Sequence, residues 1–364
     1  MTGPVTETRD IDPHRGSVSR CSVWDAVRAA SESAMNRLKC ILIAALLMYC
    51  SACEAQAQQQ SHIPRVGLLA TGDQFDDGSE RFDAFKEELS KLGYTAGSNI
   101  ILERRSARTP TEQSPKLVEA AKELISLPVD VLVPRSTTEA LVVQKLKTTI
   151  PIIFWSSEPV AIGLVHDDDK PEANVTGITG PGQKVAEIVE LVRQIIPNAQ
   201  RLAVLINPSY ALAQKRLQEV QEISLAAGFE LLILKIDNPS ELDQAFSRIG
   251  QGGADAVFVI NHPMFGMAAK HLAEAAVRTR LPLFSPYRET AEAGALVAWE
   301  PDWREWANLT ALYVAKVISG TKIQDLPVAH ARHQRIFVNL KTAKLLDLHI
   351  DDSVLQRAYQ TFSQ

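Results

Sequence analysis

Polar side chains that could bind or transform a small molecule collect directly after runs of apolar residues. Ser136, Thr137 and Thr138 follow the run VDVLVP at 129–134 and open a stretch of helical spacing. Backbone N–H groups at such a handover, with the helix dipole behind them, attract a carboxylate or phosphate. The same residue types also cap helices with no ligand present. Arg135 beside them can grip an anion through its fork of donors, or serve in an ion pair within the protein. Thr71, Asp73 and Gln74 close the run at 63–71, where the alternative is plain turn chemistry. Trp155, Ser156, Ser157 and Glu158 close the run at 150–154. An aromatic wall with adjacent hydroxyls and a carboxylate suits an amino acid or an aromatic metabolite; alternatively Trp155 packs in a core and Glu158 faces water. Asn207, Asn261 with His262, and Tyr287 with Arg288 end later runs, and Trp299 with Glu300 ends the run at 295–299. His262 reads more readily as a structural histidine than as a ligand group. Trp303 and Trp306, three residues apart on one helical face, read as packing.

Motifs for chemistry on a substrate are missing. The chain has no G-x-S-x-G, H-E-x-x-H or G-x-x-x-x-G-K-[ST]. Gly177, Gly180 and Gly182 do not have the G-x-G-x-x-G spacing of a dinucleotide loop, and Pro181 removes a backbone donor there. Asp167, Asp168 and Asp169 are consecutive, so their carboxylates do not readily converge on a cation. His330 and His333 have too few neighbours to argue zinc. Cys21, Cys40, Cys50 and Cys53 are the only cysteines, which removes disulfides, thiolate metal sites and cysteine nucleophiles from everything after Glu54. No catalytic residue, metal or cofactor is expected.

The elements that must position these residues follow one rule. Apolar strand-like runs at 63–71, 100–104, 129–134 and 150–154 alternate with helical spacing at 79–92, 111–126 and 135–147. A short strand at 174–179 leads through Gly180-Pro181-Gly182 into a second series. There helices at 184–196, 213–227, 241–249 and 265–280 alternate with strands at 201–206, 229–236, 254–260 and 281–284. Strand–helix alternation of this kind predicts parallel sheets covered on both faces, hence an α/β fold of two doubly wound units. In such sheets ligands sit beyond the carboxyl ends of the strands, where the strand order reverses. The last third is irregular: a strand at 295–299, a strong helix at 303–319, an extended link at 322–330, a strand at 335–339, a short helix at 341–346 and a helical end.

At 364 residues, and roughly 100–200 residues per domain, two domains are expected. The net charge of −5 gives no basic footprint for nucleic acid. Residues 35–57 have a basic start, the apolar run CILIAALLMYC and the small-residue site Ala55-Gln56-Ala57, which together read as a secretory signal peptide. Cys50-Ser51-Ala52-Cys53 partly resembles a lipid-attachment site, so Cys53 is an alternative anchor. Residues 1–34 precede a complete leader and read as a non-native or disordered extension. The protein is therefore expected outside the cytoplasm, touching membrane only through the leader or a lipid on Cys53.

The segments RVGLLATGD (65–73), LGYTAGSNIILERRSA (92–107), VDVLVPRSTTEAL (129–141), IPIIFWSSEPVAIGLV (150–165), RLAVLINP (201–208), ADAVFVINHPMF (254–265) and LPLFSPYRETAEAGALVAW (281–299) resemble periplasmic solute-binding proteins of type I. Within that group they are most similar to the ABC-transporter substrate-binding family that includes TrpX-like proteins. The resemblance implies two Rossmann-like lobes, 63–177 plus 300–324 and 180–297 plus 328–364. They would be joined by three crossing segments near 179, 297–299 and 325–328. It further implies a monomeric, non-enzymatic receptor that closes on one small solute and delivers it to ABC permease subunits. A sensor for a signalling partner and an α/β enzyme are the competing readings. The chain departs from the family at Arg135-Ser136, where many relatives have Gly-Gly, and at Glu158-Pro159, where they have Asp-Pro.

Overall fold

Strands that are buried on both faces need apolar residues at nearly every position, and the first strand shows why these do. Val66, Leu68 and Ala70 join one core cluster while Leu69 joins another on the opposite face. The computed structural model describes residue 28 and residues 62–72, 76–107, 114–171 and 174–363. The leader at 35–57, Cys53, Asp73, Gln74 and, apart from Arg28, the extension at 1–34 lie outside the described residues.

The chain begins its sheets with β1 (Arg65–Thr71), α1 (Glu80–Lys91), β2 (Ile101–Ala107), α2 (Pro115–Ser126), β3 (Val131–Pro134), α3 (Thr137–Lys145), β4 (Ile152–Ser156) and β5 (Val175–Thr179). It continues with α4 (Val185–Ile195), β6 (Arg201–Ile206), α5 (Ala213–Ala226), β7 (Glu230–Lys235), α6 (Leu242–Gln251) and β8 (Ala256–Val259). Next come α7 (Pro263–Met267), α8 (Ala269–Arg278), β9 (Leu283–Ser285), α9 (Arg288–Ala293) and β10 (Val297–Pro301). The chain ends with α10 (Trp303–Ile318), β11 (Ala329–His330), β12 (Gln334–Asn339), α11 (Leu340–Leu345), α12 (Asp352–Arg357) and β13 (Ala358–Phe362).

Two sheets result, each the centre of one lobe. The first has the order β11-β5-β4-β3-β1-β2 and is parallel throughout. The second has the order β13-β12-β10-β9-β8-β6-β7, with β10 and β12 its antiparallel pair. Strand order reverses between β1 and β3 in the first sheet and between β6 and β8 in the second. Those are the two places where loops part in opposite directions and leave a crevice.

The chain passes between the sheets three times: from β5 to α4, from β10 to α10, and from β11 to β12. The passages are hydrogen-bonded to one another. Gln334 Nε2 donates to the Gly182 carbonyl at 2.7 Å, and the Asp302 N–H donates to the His333 carbonyl at 3.0 Å. Helix α10 therefore belongs to the first lobe although β10 before it belongs to the second. Trp306, Tyr313 and Val314 are buried against Val66, Phe85 and Trp155. Each such burial is worth roughly 1.5–3 kcal/mol, so the three together approach the ~5–15 kcal/mol margin of a whole fold. The first lobe is incomplete without this late helix.

The structure departs from the sequence expectations in the last third. The helix expected at 265–280 divides at Ala268, because the short turn that His262 caps ends there. The link at 322–330 does not leave the first lobe near 325–328. Thr176 Oγ1 donates to the Leu326 carbonyl at 2.7 Å, and Ala329 and His330 pair with β5, so the passage falls after His330. The helical end is only half helix. Ala358 and Phe362 are four residues apart, a helical spacing, yet 358–362 pairs with β12 as a parallel edge strand and Phe362 stacks on Phe337 at 6.5 Å. Gly177 shows how tightly β4 and β5 are joined: a Cβ there would lie 2.3 Å from the Phe154 carbonyl oxygen.

Candidate binding cleft between the lobes

The carboxyl ends of both sheets face a shared cavity of about 140 Å³. An engineered cavity of roughly 150 Å³ accommodates a benzene ring, so this space fits about one ring. From the first lobe its wall takes Thr71 at the end of β1, Arg135 to Thr138 after β3, and Trp155 to Ser157 at the end of β4. The second lobe supplies Tyr210, Asn261, Pro263, Met267, Tyr287 and Trp299. Gly180, Gly182, Gln183, Pro301 and Gln334 come from the passages or their edges.

An aromatic box forms the first-lobe side. Trp155 is stacked with Trp303 at 5.7 Å and meets Trp306 edge-on at 5.2 Å. Its indole N–H donates to Thr310 Oγ1 at 2.6 Å, which fixes the ring on α10. Gly180 lets the passage run across this box, since a Cβ there would come within 2.6 Å of the Trp306 ring. Trp299, stacked on Phe258 at 5.8 Å, faces the box from the second lobe.

An anion-friendly pole lies beside the box. Ser136 is the N-cap of α3 in extended backbone, and its side chain makes no capping bond. Its hydroxyl oxygen is buried without a hydrogen-bond partner. Thr137 Oγ1 and Ser156 Oγ lie 2.8 Å apart, linking the first turn of α3 to the end of β4. The Arg135 guanidinium lies 5.4 Å from the Trp303 ring centre and 5.9 Å from that of Trp155. Burial pushes Arg135 down to about 9, with the charge of Arg81 acting in the same direction and Glu139 opposing it. It still carries its charge at neutral pH. Burial likewise pushes the fully buried Glu139 carboxyl up, against the pull of Arg135. A first helical turn, a free hydroxyl and a cation next to stacked rings can hold the carboxylate of a ligand whose ring enters the box.

Ion pairs close the lobes around this cavity. Arg81 on α1 bonds Glu300 at 2.8 Å and Glu289 at 3.0 Å, and stacks over Trp303 at 4.3 Å. Arg288 reaches Glu80 at 2.6 Å. On the other side Glu158 pairs with Lys215 and Arg216. Exposed pairs contribute only ~0.2–1 kcal/mol. Arg81, Glu300 and Arg216 are mostly buried, so losing a partner leaves a charge that water cannot reach.

Of the residues singled out from the sequence, Thr71, Arg135, Ser136, Thr137, Trp155, Ser156, Ser157, Asn261, Tyr287 and Trp299 stand in the cavity wall. Glu158, Arg288 and Glu300 do not; they are turned onto partners in the opposite lobe. Asn207 accepts from the Ser209 N–H at 2.9 Å and organises the turn after β6. His262 caps α7, its Nδ1 accepting from the Met264 N–H at 3.2 Å, and burial pushes it down to about 4. Trp303 and Trp306 pack as expected and also line the cavity. Arg81, Gln183, Tyr210, Met267 and Gln334 were not foreseen. Arg81 is the second residue of α1, Tyr210 lies just before α5 and Met267 ends α7, so no strand end marks them. Burial pushes the Tyr210 hydroxyl up to about 12, so it enters the cavity as a neutral donor and acceptor.

Two doubly wound lobes, three passages and a cavity at facing reversal points define the type I periplasmic binding protein fold, of Venus-flytrap form. The family model described as ABC transporter substrate binding protein matches residues 75–362, and the chain belongs to that family. It is 26% identical over 267 residues to a tyrosine-binding protein of Clostridioides difficile, covering 72% of this chain and 75% of the relative. A conserved domain protein from Vibrio cholerae superposes with a TM-score of 0.74 at 25% identity, covering 82% of this chain and all of that one. An ABC domain in complex with L-Trp from Streptococcus pneumoniae also reaches 0.74, at 20% identity, covering 83% of this chain and all of that one.

Two outcomes follow from these contacts. Glu158→Gln leaves the mostly buried Arg216 with Glu219 alone and removes its ion pair across the lobes, and is expected to weaken the closed arrangement by about 1–3 kcal/mol, between the exposed and buried limits. Small-angle scattering should show a larger radius of gyration for the ligand-free variant than for the parent; equal radii would mean that the pair does not hold the lobes. His262 is neutral when folded, so between pH 6.5 and about 4 the unfolded chain binds a proton that the folded chain does not. Stability then falls as pH drops through that window, by up to ~1.4 kcal/mol per pH unit. His262→Asn keeps a capping acceptor and is expected to flatten this limb in denaturant titrations; parallel curves would contradict a buried neutral imidazole.

Proposed function

We propose that this protein is an extracytoplasmic receptor that captures one small solute between its lobes and hands it to the permease subunits of an ABC importer. The solute leaves chemically unchanged, and no catalytic group is involved. The carrying observation is the cavity itself. Both lobes wall it at their strand-order reversals, and hydrogen-bonded passages on one side leave the rest of the boundary to separable ion pairs. Hinge-bending receptors close in this way, because a ligand touching both lobes favours the closed form. A carboxylate-bearing solute with an aromatic or apolar body, an amino acid or an aromatic acid, suits the pole at α3 and the tryptophan box. The relative named for tyrosine binding supports this class. Export rests on the leader at 35–57, with Cys53 as the alternative anchor, and the working unit is a single chain.

A thermal-shift screen of amino acids, aromatic acids and nucleosides tests the reading. A solute at a hundredfold excess over its dissociation constant stabilises the folded state by about 2.7 kcal/mol, and mass spectrometry should recover it intact. Silence across every class would contradict a receptor, and consumption of the solute would point to an enzyme instead.

A further inference from the structure

We propose that the cleft selects an aromatic carboxylate that lacks an ammonium group, and that Arg135 sets this preference. This rests on the cleft being the ligand site. The charge of the wall carries it. Among the described residues lining the cavity, Arg81 and Arg135 are cationic and no aspartate or glutamate is present. Of the nearby carboxylates, Glu289 and Glu300 hold Arg81, and Glu158 holds Lys215 and Arg216; Glu139, which acts on Arg135, is fully buried outside the cavity wall, and that burial pushes its carboxyl up toward the neutral form.

An α-amino acid brings a carboxylate and an ammonium into the same small space. A buried ammonium needs an anion or several strong acceptors, because unpaired charge in a dry site is costly. Two amide acceptors of the wall are engaged. Asn261 Oδ1 accepts from the Tyr287 hydroxyl at 2.6 Å, and Gln183 Oε1 accepts from the Asn261 N–H at 3.2 Å. A lone carboxylate meets the opposite situation. The first turn of α3, the unpartnered Ser136 hydroxyl and the Arg135 charge all favour it. With the Arg135 head 5.4 Å from the Trp303 ring centre, a planar acid can place its ring against the tryptophans and its carboxylate at α3 together. The cavity of about 140 Å³ argues for a single ring.

Three probes with one ring and different charges test this by calorimetry on the full mature chain: 3-(4-hydroxyphenyl)propanoate, tyrosine and tyramine. The propanoate is expected to bind about tenfold or more tighter than tyrosine, and tyramine not to bind; such a ratio corresponds to roughly 1.4 kcal/mol. Arg135→Gln should reduce propanoate binding about tenfold and shrink the propanoate-to-tyrosine ratio, with a thermal unfolding curve confirming that the variant folds. Tyrosine binding as tightly as the propanoate, or a ratio unchanged in the variant, overturns the proposal and leaves the receptor reading standing. So does failure of all three probes while another solute class stabilises the protein. Failure of every solute removes the receptor reading as well. The wild-type comparison stands even if the variant does not fold.

Discussion

The indole of Trp155 holds this structure's parts in relation to one another. It ends β4 in the first lobe, is stacked with Trp303, meets Trp306 edge-on, and donates to Thr310. Those three residues belong to a helix that the chain supplies only after building most of the second lobe. One side chain thus closes the first lobe's core, lines the cavity, and fixes the passage that leads into α10. With offset-stacked and edge-on ring pairs each worth ~0.5–1.5 kcal/mol beyond the area they bury, the box is stiff. Stiff walls suit a receptor whose affinity comes from a prepared shape.

Charge then divides the cleft into regions with different roles. Glu80, Glu158, Glu289 and Glu300 are committed to the boundary between lobes, where Arg81, Arg216 and Arg288 meet them. Among the described residues, the charged side chains that line the cavity are positive, with a helix start behind them. Arg135 and Ser136, adjacent in the chain, supply the cation and the unpartnered hydroxyl. Closure and ligand charge are therefore linked: an acid that swung from the boundary into the cavity would weaken the clamp and neutralise the pole together.

The sheets were legible in the sequence because strands buried on both faces announce themselves as short apolar runs bounded by turn residues. The runs at 129–134 and 201–206 show this plainly. Polar residues at their ends could be read as cleft-facing from the same rule. Whether a given polar residue would face the cavity or the other lobe could not be read, because that depends on partners far along the chain. Glu158 meets Arg216, 58 positions away, and Glu300 meets Arg81, 219 positions away. Arg81 looked like any charged position on an amphipathic helix. The edge strand β13 was missed because an i, i+4 apolar pair favours helix locally, while the free edge of β12 decides otherwise.

The central claim is that the lobes move as jaws around a solute. Scattering from protein stripped of small molecules by unfolding and refolding, with and without the solute that stabilises it most, tests this directly. The stripped protein should be measurably larger and return to the dimensions of the closed arrangement when the solute is added. Superimposable curves in the two conditions would contradict the account.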